Sequence, residues 1–99
     1  MNKVFYYFEQ FVTKNGTLIF IPRCTDSKDK HLIYVALKED EFPPLDHPTI
    51  ALEGDDNIVS FDDINVNINS GVEYKWRVDC LEALTEHRRM GDTWVFTIN

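Results

Sequence analysis

Between Glu39 and Tyr74 the chain has no lysine and no arginine. The same window holds ten carboxylates: Glu39, Asp40, Glu41, Asp46, Glu53, Asp55, Asp56, Asp62, Asp63 and Glu73. The segments on either side are nearly balanced, so the formal net charge of −7 comes from this one block. The chain also lacks a basic stripe. Lys28 and Lys30 sit in an Asp-containing turn, and Arg88–Arg89 stand alone near the C-terminus. Direct nucleic-acid binding, which needs clustered Lys and Arg against phosphate, is not expected.

Other absences narrow the class further. No stretch approaches the ~20 apolar residues of a membrane span. The apolar start, Met1 to Val12, is interrupted by Glu9 and Gln10, and no small-residue cleavage site follows it, so a cytoplasmic protein is expected. Two cysteines, Cys24 and Cys80, are too few for a disulfide scaffold and are read as two buried thiols rather than a bridge. There is no Cys-x-x-Cys, His-x-x-x-His, Gly-rich phosphate loop or Gly-x-Ser-x-Gly. His31, His47 and His87 are scattered. Asp55-Asp56 and Asp62-Asp63 do not have the spacing of a calcium loop. The reading is a non-enzymatic protein with no catalytic residues, no metal and no cofactor.

The residues present suit one compact domain over 1–99. With 43% hydrophobic and 13% aromatic residues in 99 positions, a core can form without staples. Val4–Lys14 and Thr17–Pro22 flank Asn15-Gly16, a hairpin signal because a type I′ turn needs positive φ at both central residues. His31–Leu37 adds a third strand and completes a meander. Lys38–Pro48, with Pro43, Pro44 and Pro48, is a loop. Short strands follow at Thr49–Leu52 and Ile58–Phe61, joined by a spacer with turn chemistry, Gly54-Asp55-Asp56-Asn57. Ile64, Val66 and Ile68 alternate with Asn65, Asn67 and Asn69 as a strand would.

Beyond Gly71 two patterns compete. Val72, Tyr74, Trp76 and Val78 alternate with charged residues as in a strand. Ser70 with Glu73, and the i,i+4 pairs Glu73–Arg77 and Lys75–Asp79, favour a helix. From Asp79 the helical reading leads, with Leu81 and Leu84 as its apolar face, Arg88 and Arg89 at its negative end and Gly91 as its stop. Thr93–Ile98 closes the chain as a strand. The expected fold class is α+β, a mainly antiparallel β-sheet with one C-terminal α-helix starting near Ser70 or Asp79.

The acidic window divides into a loop cluster (Glu39, Asp40, Glu41, Asp46) and a turn cluster (Glu53, Asp55, Asp56, Asp62, Asp63), with Glu73 apart. Like charges without counter-charges repel unless solvent or a partner relieves them, so the ten form a candidate docking face for a basic host protein. Phe42, Phe61 or Tyr74, if exposed, would add aromatic anchors. The turn cluster is the favoured centre, because apolar runs flank it. Small size, acidity, compactness and the lack of catalytic motifs together give a chain that resembles phage-encoded DNA-mimic inhibitors, including small acidic anti-CRISPR proteins. That resemblance implies an inhibitor occupying the basic nucleic-acid-binding groove of a host complex, such as a CRISPR surveillance complex, in the host cytoplasm. The alternatives are an immunity or antitoxin-type protein covering a basic toxin, and a structural or adaptor subunit.

Overall fold

In the computed structural model, residues 10–12, 16–20, 24, 26, 28–53, 56–60, 63 and 67–98 are described. They form eight antiparallel strands: β1 (Gln10–Val12), β2 (Thr17–Phe20), β3 (Lys30–Leu37), β4 (Ile50–Glu53), β5 (Ile58–Ser60), β6 (Glu73–Leu81), β7 (Arg88–Arg89) and β8 (Trp94–Thr97). Sheet A has the order β1-β2-β5. Sheet B has the order β4-β3-β6, and β7 and β8 both pair with the far side of β6. The two sheets share one core of Leu18, Phe20, Ile33, Val35, Val59, Trp76 and Val78.

No α-helix is present among the described residues, so the expected α+β class and its C-terminal helix are corrected to an all-β fold. The residues assigned to the helix form β6, a turn over Ala83–Thr85, and β7. Magnitudes explain the outcome. The i,i+4 pairs that favoured a helix are worth about 0.2–0.5 kcal/mol each. The strand buries Tyr74, Trp76, Val78 and Cys80 on one face, at about 1.5–3 kcal/mol for a large apolar side chain. Leu84, expected on the inner face of a helix, is instead 85% exposed.

The two expected arms do pair, β1 with β2 from Gln10↔Phe20 to Val12↔Leu18, and Gly16 has φ of 79°. A two-residue type I′ turn at Asn15-Gly16 would set Val12 opposite Ile19, however, so the register is one residue off the one expected. Of the expected arms and turn, residues 4–9, 13–15 and 21–22 lie outside the described residues. The meander, however, ends at β2. β3 joins sheet B, and β2 takes β5 as its second neighbour. Likewise β4 and β5 do not pair across their turn, since β4 adds to β3. The alternating Asn-rich segment is not a strand over Asn67–Asn69. There the Asn69 N–H donates to the Tyr74 hydroxyl, which donates to the Asn67 carbonyl, while Ile68 packs against the core. Ile64–Val66 lie outside the described residues. The proline-rich segment is a loop, and the final strand is β8, with Trp94 and Phe96 against the core.

Cys24 and Cys80 form a disulfide with Cα atoms 5.5 Å apart, which corrects the expectation of two thiols. The bridge ties the β2–β3 connection to β6 of sheet B, across 56 residues of sequence. Sequence distance carried no signal of this proximity.

The long pairing of β3 with β6, from Lys30↔Leu81 to Leu37↔Tyr74, gives sheet B two faces. His31, Ile33, Val35, Tyr74, Trp76, Val78 and Cys80 face the core. Leu32, Tyr34, Ala36, Lys75, Arg77 and Asp79 face outward. Asp79 is nonetheless fully buried. One carboxylate oxygen accepts from Arg77 Nε at 2.9 Å and from the Gly91 N–H at 3.0 Å. The other accepts from Arg77 Nη2 at 3.1 Å and Arg88 Nη1 at 3.0 Å. On the far side of β6, β7 covers Cys80 and Leu81 and β8 covers Glu73 to Trp76, so the interval at Arg77–Asp79 is closed by side-chain bonds rather than by a strand.

Removing one member of a buried ion pair costs about 3–5 kcal/mol. Asp79→Ala is expected to lose that much in urea unfolding, whereas Lys38→Ala, which breaks the exposed Lys38–Glu73 pair, should change stability by less than about 1 kcal/mol. Reducing the disulfide should lower stability by about 2–4 kcal/mol in the same assay.

Candidate functional site

The chain leaves β3 through a turn at Lys38–Asp40, closed by the Asp40 N–H on the Leu37 carbonyl at 3.0 Å. The loop that follows is laid over the outer face of sheet B by two anchors. Phe42 is half-buried, 6.5 Å from the Tyr34 ring in an edge-on contact, with Lys75 Nζ 4.7 Å and the Arg77 guanidinium 5.1 Å from its own ring centre. The Leu45 carbonyl accepts from the Tyr34 hydroxyl and from Arg88 Nη2. Burial works against the Arg88 charge, but its hydrogen bonds to Tyr34 and Asp79 outweigh this and raise its pKa.

This arrangement places the acidic residues. Glu39, Asp40, Glu41 and Asp46 are exposed on the loop. Glu73 lies on the outward side of β6 and pairs with Lys38 at 3.5 Å. Glu39, Asp40 and Glu73 line one cleft of about 320 Å³ together with Leu37, Lys38, Gly71 and Val72. Glu53 is opposite Lys30 on the outward side of β4. Lys30 and Leu37 are seven residues apart on β3, so Glu53 stands about 24 Å along the strand from that cleft. Asp56 and Asp63 are exposed near β5 of sheet A. Asp55 and Asp62 lie outside the described residues.

Six of the ten carboxylates therefore lie on or over the outer face of sheet B. Of the turn cluster only Glu53, Asp56 and Asp63 are among the described residues, Glu53 on sheet B and the other two near β5. Glu73, set apart in the sequence reading, joins the loop cluster through the Lys38 N–H, which donates to the Glu73 carbonyl at 3.1 Å. The aromatic anchors are not supplied by Phe42, which packs inward, or Tyr74, which is in the core; Phe61 lies outside the described residues. Exposed apolar side chains beside the loop carboxylates are Leu37 and Leu45, at 44% and 46% exposure, and Ile58, at 60%, stands near Asp56. No sequence signal separated the two leucines from core leucines.

The histidines are far apart in role. His31 is buried, with its Nε2 accepting from the Cys24 N–H at 3.1 Å, whereas His47 and His87 are exposed. A second cleft, of about 280 Å³, is lined by Asp26, Lys28, Asp29, Cys80, Glu82, Ala83, Leu84, Thr85 and Arg89. On its wall the Glu82 carboxylate accepts from Thr85 Oγ1 at 3.0 Å and Arg89 Nη2 at 3.1 Å. The Thr85 hydrogen bond, followed by that of Arg89, holds the Glu82 pKa below its ordinary 4.5. A carboxylate lowered in this way contributes stability above its ordinary pKa and loses it as the pH falls through the lowered value. An NMR titration should place Glu82 below 4.5, and Thr85→Val should move it upward.

Comparison with protein-family models, with curated proteins and with solved structures finds no match to this chain.

Proposed function

We propose that this protein is a non-enzymatic acidic binding protein, an inhibitor that occupies the basic nucleic-acid-binding groove of a host complex by presenting carboxylates where phosphates would sit. The observation that carries the reading is a separation of charge by depth. All eight described carboxylates of the window, Glu39, Asp40, Glu41, Asp46, Glu53, Asp56, Asp63 and Glu73, are exposed. The nearby Arg77 and Arg88 are turned inward onto Asp79, with side-chain exposures of 11% and 22%. A partner approaching the outer face of sheet B therefore meets an excess of carboxylates, with Lys30 and Lys38 as exposed cations beside Glu53 and Glu73.

Such a face attracts a basic groove at long range and raises the rate of encounter. Leu45, exposed on the loop, supplies apolar contact once the charges have aligned. The loop set and Glu73 are the centre of the docking face in this reading, and Asp56 and Asp63 are peripheral. The site of action is the cytoplasm of the host cell, where the groove-bearing partner works.

Affinity capture from host lysate is expected to return a nucleic-acid-binding complex, from which the protein displaces DNA. A variant carrying Glu39→Lys, Asp40→Lys, Glu41→Lys and Asp46→Lys should bind that complex at least tenfold more weakly, with a smaller dependence on salt, while keeping the parent's melting temperature within a few degrees. Unchanged affinity in the folded variant would remove the docking reading.

A further inference from the structure

The disulfide lies beside a third metal-ligating group. Asp29 is 8% exposed, and its carboxylate oxygen lies within 4.8 Å of both Cys24 Sγ and Cys80 Sγ. Among the described residues this carboxylate has one hydrogen-bond donor, the Ala83 N–H at 3.1 Å, and no Lys or Arg at ion-pair distance. A buried carboxylate without a neighbouring cation is costly, and a bound cation is one way to offset that cost. Cys80 and Asp29 both border the 280 Å³ cleft, which gives the group a route to solvent.

We propose that reduction of the Cys24–Cys80 bridge converts this group into a zinc site with Cys24, Cys80 and Asp29 as protein ligands and a water from the cleft in the fourth position. The disulfide and the metal are mutually exclusive states of the same residues. Two equivalents of a low-molecular-weight thiol reduce the bridge, giving two cysteine thiols and one thiol disulfide. Zn²⁺ then displaces the two thiol protons and binds two thiolates and the carboxylate.

The ligand set suits that ion. Two thiolates with one carboxylate match zinc, which accepts sulfur and oxygen donors tetrahedrally at about 2.3 Å and about 2.0–2.2 Å. Tetrahedral geometry at those lengths sets the sulfurs about 3.8 Å apart. Cα atoms 5.5 Å apart can meet that separation through side-chain rotation. Cys80 is fixed within β6, while Cys24 lies outside any strand and is free of ladder constraints. His31 Nε2, accepting from the Cys24 N–H, orients the ligand-bearing backbone from beneath. In a reducing cytoplasm disulfides are rare, so the metal-binding state is the one such a compartment would populate.

The test uses the full-length chain reduced with a phosphine and titrated with Co²⁺ and then Zn²⁺. One equivalent of Co²⁺ should give a thiolate-to-metal charge-transfer band and the intense visible bands of four-coordinate cobalt, both bleached by Zn²⁺. Calorimetry in two buffers should show protons released on zinc binding, and zinc should raise the melting temperature of the reduced protein. Asp29→Asn should keep the sulfur band and lose at least tenfold in zinc affinity; the oxidised chain should bind none. Absence of the charge-transfer band from the reduced wild-type chain, or equal zinc affinity of reduced wild type and Asp29→Asn, would overturn the site. If the reduced chain is unfolded by circular dichroism and zinc does not refold it, the proposal also fails.

Discussion

The carboxylate of Asp79 is the constraint on which the outer half of this fold depends. A fully buried aspartate in a strand cannot be left without donors, because a lone buried charge costs several kcal/mol. Its partners come from three places: Arg77 two residues away on the same strand face, Arg88 on β7, and the Gly91 N–H in the segment before β8. Satisfying Asp79 thus brings the C-terminal segment against β6. Arg88, held by Asp79, also grips the Tyr34 hydroxyl and the Leu45 carbonyl. The acidic loop is positioned at the end of that chain of contacts.

This arrangement also answers the electrostatic question raised by the window. Ten like charges in 36 residues repel one another, and no lysine or arginine within the window can relieve them. Relief comes from outside it in sequence. Lys38 pairs with Glu73, and Lys75 and Arg77 lie beneath the loop against Phe42. The loop is thus held by contacts between cations and aromatic rings, which leave its carboxylates facing solvent. Part of the self-repulsion is therefore met within the molecule, and a docking function rests on exposure rather than on repulsion alone.

What was legible in the sequence follows from the range of the forces concerned. The proline loop and the alternation of β8 are local, and each is present where the residues placed it. β1 and β2 also pair as expected, though one residue off the register of a two-residue Asn15-Gly16 turn. The alternation of Tyr74, Trp76 and Val78 was equally visible, but local helix signals at Ser70, Glu73 and Asp79 obscured it; burial against sheet A decided between them. Asp79, which resembled a helix cap, is instead the acceptor at the centre of a tertiary network. The Cys24–Cys80 bridge and the partition of the strands between two sheets depend on contacts far apart in sequence, so spacing carried no trace of them. For the acidic residues, exposure was readable from composition, whereas the union of Glu73 with the loop cluster required the β3–β6 register.

The divided far side of β6 has a consequence for how the molecule behaves in a crowd. The long strands β3 and β6, with eight and nine residues, are both interior to sheet B. Its outer positions are held by β4, with four residues, and by β7 and β8, with two and four, interrupted between them. A foreign strand seeking to extend the sheet finds no uninterrupted ladder longer than four residues. Short edge strands are a recognised defence against edge-to-edge polymerisation. Sheet B can thus hold two long, aggregation-prone strands without offering either as a continuous edge, provided the C-terminal strands remain in place.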